Sequence, residues 1–369
     1  MPSAGAPPRR RPAPPVPPAD PLGRQARARR SALVLLALGA LTGLAALLGA
    51  VVGAVAITPA DVLRVAGHHL VGLPARVTWD PVVDAVVHDV RLPRVLLGLA
   101  VGAGLAVCGT ALQAMVRNPL ADPQLLGVSS GASTGAAAAL LLGAGAGWGE
   151  HALAGSAFTG ALAASVLVYA VARGAGQVTS ARLLLAGVAV GYALHAATSF
   201  LVFASGSAEG ARSVTFWLLG SLGLATRGAA LGTVLVVVTA TVAALTAWGP
   251  RLDALALGDE TARGLGVSPA AFRTLLLAVV SLCVGVLVAA SGTIGFVGLV
   301  VPHVARRLVG GAHRWSVPAA ALLGAAFLVA ADLLARTVLA PQELPIGIVT
   351  ALAGCPFLLW LVRGTRTGA

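Results

Sequence analysis

The chain has 369 residues, 57% of them apolar and only 10% charged, whereas a soluble domain carries about a quarter charged residues. With a mean hydropathy of +0.91, it reads as a polytopic membrane protein and not as a soluble enzyme with a large core. The formal charge is +12, and all 25 basic residues are arginine. Without lysine there is no Walker A phosphate loop, so any ATP that drives this protein is bound by another chain. A pI near 11.5 would point to nucleic acid in a soluble protein; here the arginines cluster at the ends of apolar runs, and membrane topology explains them better.

Residues 1–30 stand apart. Nine of the 22 prolines fall between Pro2 and Pro21, followed by Arg24, Arg27, Arg29 and Arg30, a composition that reads as a disordered cytoplasmic tail. The charge-free run 31–60 is too long for the apolar part of a signal peptide and opens the membrane domain. Further runs without Asp, Glu or Arg are 95–116, 123–149, 151–172, 183–208, 228–250, 274–305, 315–331 and 344–362. Each approaches or exceeds the roughly 20 residues that cross a bilayer as a helix. The run 274–305 is too long for one crossing and is broken by Ser291-Gly292-Thr293-Ile294-Gly295, so it predicts two helices and a total of ten. With the N-terminus inside, ten crossings put 18 arginines in the cytoplasm and seven outside, as the positive-inside rule prefers. The expected fold is therefore all-α, a ten-helix domain over 31–363 with both termini cytoplasmic in the cell membrane. Small-residue pairs such as Gly98/Gly102 and Gly131/Gly135 allow close helix packing.

Outside the spans, 58–90 is a long outer connection, 207–220 reads as a half-length outer helix, and 250–269 is an inner connection bracketed by Pro250 and Pro269. In the last, Leu252, Leu255, Leu257 and Leu265 form an apolar ridge among Asp253, Asp259, Glu260 and Arg263, predicting two short helices joined through Gly258 that bind a partner. Gly127-Val128-Ser129-Ser130-Gly131 matches the GxSxG nucleophile pattern, but that motif needs a strand-to-helix elbow, and here it opens a membrane helix; packing or lining a polar path is the favoured role. His195, His303 and Asp332 are too few for an ion-driven proton relay, and the two histidines read as hydrogen-bonded helix residues. Cys108, Cys283 and Cys355, without CxxC spacing, read as buried small apolar residues, not a disulfide or zinc set. Arg91, Arg94 and Arg336 sit at outer helix ends against the topology rule, either snorkelling to headgroups or forming a cationic docking surface.

Five blocks in order carry a family resemblance: Arg91-Leu-Pro-Arg94, Asn118-Pro-Leu-Ala-Asp-Pro-Gln-Leu-Leu-Gly127, Leu257-Gly-Asp-Glu-Thr-Ala-Arg-Gly-Leu-Gly266, Gly292-Thr-Ile-Gly-Phe-Val-Gly-Leu-Val-Val-Pro-His303 and Glu343-Leu-Pro-Ile-Gly-Ile-Val-Thr350. Over about residues 31–363 the chain resembles FecCD-type permeases, the type II permease subunits of ABC importers for iron-siderophores, haem and cobalamin. The resemblance implies a ten-helix permease paired with a second permease subunit, seated on two ATP-binding subunits and fed by an extracytoplasmic binding protein. Arg91, Arg94 and Arg336 match positions that meet carboxylates on the binding protein. Leu257, Gly258, Asp259, Glu260, Ala262, Arg263, Leu265 and Gly266 match the coupling helices on the ATPases. Asn118 and Leu120 match a cytoplasmic gate, with Ser180 near a second one. Alternating access follows, with a ferric siderophore as the expected cargo and haem or cobalamin as alternatives; no covalent chemistry, cofactor, metal site or nucleic-acid partner is expected of this chain. A secondary transporter working alone is the rival from another class.

Overall fold

The computed structural model describes residues 23–53, 55–174 and 178–364; most of the Pro/Arg-rich segment lies outside them. Every regular element among the described residues is helical. In chain order these are α1 (Arg24–Val51), α2 (Pro59–Val71), α3 (Pro81–Ala85), α4 (Leu92–Val116), α5 (Val128–Leu142), α6 (Ala152–Gly174), α7 (Ser180–Ala204), α8 (Ala208–Leu218), α9 (Ala229–Ala247), α10 (Gly249–Ala256), α11 (Asp259–Gly264), α12 (Pro269–Ser291), α13 (Val297–Val309), α14 (His313–Thr337) and α15 (Ile346–Gly364). Seven helical segments are long and apolar enough to cross a membrane. The 15-residue α5, the 13-residue α13 and the 19-residue α15 run among them, and the contacts at their ends make these ten described helices alternate in direction between two ends. One end carries Arg91, α2, α3 and α8. The other carries Arg273, α10 and α11.

α4 is the axis of the bundle. Twenty of its residues are buried, and α14, α9, α12 and α13 pack around it. Contact this close needs glycine. A Cβ on Gly109 would strike the backbone of Gly298 in α13, and one on Gly131 the backbone of Gly160 in α6, the small-residue packing that membrane helices use in place of a hydrophobic drive.

Two helices are too short to span. α5 has 15 residues and α13 has 13, or about 22 and 20 Å at 1.5 Å per residue against a core of about 30 Å. Irregular backbone supplies the missing length. Beyond α12 the segment 292–296 is not helical, and Gly292 and Phe296 both take a φ of 68°, so the long apolar run is two helices with a break. Beyond α4, the segment 117–127 turns back into the bundle. Its Pro123 lies against Gly298 and its Gly127 against Gly187 and Gly191 of α7, two to three helical turns from the Arg273 end. Irregular backbone at that depth is tolerated only where protein walls it in.

Several boundaries differ from the sequence reading. α1 starts at Arg24, inside the stretch read as disordered, and ends at Val51 and not near residue 60. The outer connection is not plain loop: Thr58 caps α2 with Pro59 at its first position, and Asp80 caps α3, accepting from the Val82 N–H. α3 runs through a π-turn, Val86–Arg91, directly into α4. Cys355 is exposed, unlike Cys108 and Cys283, because it sits on an outer face of α15. His303, expected as a hydrogen-bonded helix residue, differs: its buried Nε2 has no partner among the described residues, and the ring meets Phe357 edge-on at 5.8 Å.

Candidate functional site

At one end of the bundle, α1, α4 and α14 bring Arg91, Arg94 and Arg336 together. An α-helix leaves its last carbonyls without intrahelical donors. Arg91 supplies them to α1, donating through Nη1 to the carbonyls of Ala50 and Val51 at 2.9 and 2.6 Å and through Nη2 to Val55 at 2.5 Å. Arg336 donates to the carbonyl of Gly49. Arg94 forms a double fork: Nε and Nη2 reach Asp332 at 2.9–3.1 Å, while Nη1 and Nη2 reach Glu343 at 2.9 and 2.8 Å. Asp332 lies one helical turn before Arg336 and is also 3.5 Å from its Nε.

This cluster corrects one expectation. The three arginines are not a free cationic face: Arg91 is 4% exposed, and the side chains of Arg94 and Arg336 are 11% and 8% exposed. Each is engaged within the chain, Arg91 and Arg336 by carbonyls at the end of α1 and Arg94 by the buried Asp332. The exposed member is Glu343, with half of its side chain in the open; the Arg94 hydrogen bond holds its carboxyl below the usual glutamate range. Sequence reasoning named Asp332 and Glu343 but did not pair them with these arginines. The signal was present in the unexplained outer arginines, each of which required an acceptor.

At the opposite end, α10 and α11 form a helical hairpin through Leu257 and Gly258, where Gly258 adopts φ 119°. Leu252, Leu255 and Ala262 face inward and are fully buried, while Leu257 and Leu265 are 71% and 64% exposed. Glu260, Arg263 and Gly266 are also on the exposed side. The hairpin thus sits on the bundle by one face and offers two leucines on the other. Asp253 fixes α10 to α14, accepting from the His313 backbone N–H at 3.0 Å with the imidazole Nδ1 2.6 Å away. Asp259 fixes α11 to α12 through a bidentate pair with Arg273 at 2.6 and 2.9 Å, which holds its carboxyl below the usual aspartate range.

Asn118, Leu120 and Ser180, the residues expected at a gate, lie around the last turn of α4. Asn118 caps the turn that follows, its side chain accepting from the Leu120 N–H at 2.9 Å, and leaves Leu120 42% exposed. Ser180, capping-turn neighbour at the start of α7, donates to the Met115 carbonyl at 2.8 Å. Gln113 ties the re-entrant segment to α13: its amide donates to Ala121, Gly298 and Leu299 at 3.2–3.3 Å, and its oxygen accepts from Arg306 at 2.7 Å. Ser129 is a buried residue within α5, not the tip of an elbow. Among the described residues no group of three or more His, Cys, Asp or Glu side chains could hold a metal ion.

An all-helical bundle with broken spans, a carboxylate–arginine cluster at one end and a leucine-bearing hairpin at the other is the architecture of a membrane permease. The chain belongs to the FecCD transport family, whose model matches residues 41–364, and is an ABC importer permease. It is 45% identical over 286 residues to the cobalamin import system permease protein BtuC of Halobacterium salinarum, covering 78% of this chain and 75% of that one. Over 301 residues it is 42% identical to the hemin transport system permease protein HmuU of Yersinia pestis, covering 80% and 89%. Over 292 residues it is 38% identical to the Fe(3+)-citrate import system permease protein YfmD of Bacillus subtilis, covering 78% and 84%. In structure it is similar to a metal-chelate type ABC transporter in an inward-facing conformation, with TM-score 0.78, 32% identity and coverage of 90% and 99%.

Proposed function

We propose that this chain is one half of a membrane conduit for a metal chelate, pairing with a second permease subunit and driven by two separate ATP-binding subunits. The observation that carries the reading is the α10–α11 hairpin: anchored to α12 and α14 by Asp259 and Asp253, it leaves Leu257 and Leu265 exposed at a membrane-protein end, where apolar side chains mark a protein contact. On this reading Leu257–Gly266 seats on an ATPase, so the Arg273 end and both ends of the described chain face the cytoplasm. The Arg91 end then receives the binding protein. There docking falls to the surface that Arg91, Arg94 and Arg336 hold in place, the end of α1 and the half-open Glu343, with the three arginines supporting it from beneath.

A ferric siderophore or similar iron complex is the proposed cargo, in keeping with the hemin and Fe(3+)-citrate relatives. The 45% identity to a cobalamin permease favours cobalamin as the second reading. The test is co-purification and uptake. Leu257→Asp with Leu265→Asp should release the ATPase subunit while the permease still elutes as a folded, monodisperse species; retained co-purification would reject the coupling role. In proteoliposomes holding the assembled transporter and its binding protein, labelled ferric siderophore, ferric citrate, haemin and cobalamin are compared. Vanadate-sensitive accumulation of one identifies the cargo, whereas accumulation by the permease alone would reject the ABC mechanism for this chain.

A further inference from the structure

Arg273 lies between the coupling hairpin and the gate and belongs to neither. It stands in the first turn of α12, is 1% exposed, and is the largest of the fully buried side chains. Its guanidinium grips Asp259, at the start of α11, with two parallel hydrogen bonds of 2.6 and 2.9 Å. Its Nε points at the Met115 carbonyl at 3.5 Å, the same carbonyl that accepts from Ser180 at 2.8 Å. Two residues further along, Arg117 takes up a left-handed conformation, φ 54°, and its Nη2 lies 3.8 Å from Asp259. The turn that holds Asn118 and Leu120 follows at once. One guanidinium therefore meets α11, the end of α4 and, through one shared carbonyl, the start of α7.

A bidentate arginine–carboxylate pair fixes orientation as well as distance, and a buried one is costly to break because a lone charge remains. A displacement of α11 therefore moves Arg273 with it, and the Met115 carbonyl cannot keep both of its donors unless the last turn of α4 follows. The other carboxylate anchor of the hairpin, Asp253, grips His313 of α14, and among the described residues it makes no hydrogen bond to the end of α4 or the start of α7.

We propose that Arg273 is the positioning residue that transmits movement of the coupling hairpin to the gate formed by Asn118, Leu120 and Ser180. The proposal rests on the reading of α10–α11 as the ATPase-coupling element. Lysine in its place keeps the charge and loses the fork, so Arg273→Lys separates geometry from electrostatics, and Asp259→Asn weakens the same pair from the other side.

The test uses the assembled transporter with its ATPase subunit in proteoliposomes, in a Cys355→Ser background carrying Leu120→Cys. The readout is the rate of labelling by a membrane-impermeant maleimide, nucleotide-free against ATP–vanadate-trapped, measured alongside ATPase co-purification and basal hydrolysis. The parent should change its labelling rate on trapping. Arg273→Lys should lose that change while still co-purifying and hydrolysing ATP, Asp259→Asn should lose the change as well, their combination should do no more than either alone, and Asp253→Asn should keep it. A full response in Arg273→Lys would overturn the proposal, as would equal loss in Asp253→Asn, which would mean general loosening of the hairpin. Failure of both pair variants to assemble would also overturn it, by reducing the pair to a folding requirement. A parent that co-purifies no ATPase would instead overturn the coupling reading beneath it.

Discussion

Gly102 on α4 and Gly324 on α14 face each other so closely that a Cβ on either would strike the other's backbone carbonyl. Nothing flexible is available to yield there, since the Leu328 Cβ closes the same space at 2.8 Å. Gly102→Ala should therefore cost about 1–3 kcal/mol through overpacking. Gly43→Ala on α1, where a Cβ meets nothing within 4 Å, should be neutral or stabilising by up to about 1 kcal/mol through helix propensity. Thermal unfolding of the detergent-purified protein compares the two, and equal melting temperatures would show that α4 and α14 do not meet this way.

Asp332 is 3% exposed and serves both Arg94 and Arg336. Asp332→Asn leaves buried guanidinium charge uncompensated and should destabilise the fold by about 3–5 kcal/mol. Glu343→Gln removes a half-exposed partner of the same Arg94 and should cost no more than about 1 kcal/mol. The contrast is read from melting temperatures, and a larger effect at Glu343 would contradict the cluster as described.

Arg91 serves the last turn of α1 from a different helix. Removing it in Arg91→Met strips donors from the carbonyls of Ala50, Val51 and Val55, and amide exchange over residues 46–53 should rise while exchange in the middle of α4 stays unchanged. Unaltered protection of that turn would rule out the capping role.

The pair at the hairpin makes a pH prediction. Hydrogen bonding to Arg273, ahead of every other influence, holds the Asp259 carboxyl below its ordinary value of 3.8. A depressed folded-state value means that the carboxylate stabilises the fold above the unfolded value, and that this contribution is lost as pH falls through the lowered folded one. The melting-temperature gap between the parent and Asp259→Asn should accordingly be constant from pH 7 to 5 and close only below about pH 4. A gap that closes near pH 6 would implicate a different group.

The apolar runs made the membrane helices legible, because a span is written in uninterrupted composition. The break in 274–305 and the short helix in 207–220 were legible for the same reason, since Gly292 and Ser207 are punctuation. What composition cannot express is the partner of a charge. Arg91 and Arg94 looked alike as outer cations, yet one closes a helix end and the other neutralises a buried carboxylate 238 residues away. Arg273 was invisible for a related reason: at the edge of an apolar run it reads as a topology marker, and only the fold brings Asp259 to it. The re-entrant path of 117–127 was hidden too, because glycine, proline and small apolar residues serve a loop and a helix start equally well.

The end of α13 meets both the start of α1, where Ser31, two turns in, donates to the Val309 carbonyl, and the end of α15, where Trp360 lies under Arg307 at 4.8 Å. Fluorescent or enzymatic reporters fused ahead of the one and behind the other are expected to share a compartment, and activity of the two in different compartments would contradict an even number of crossings.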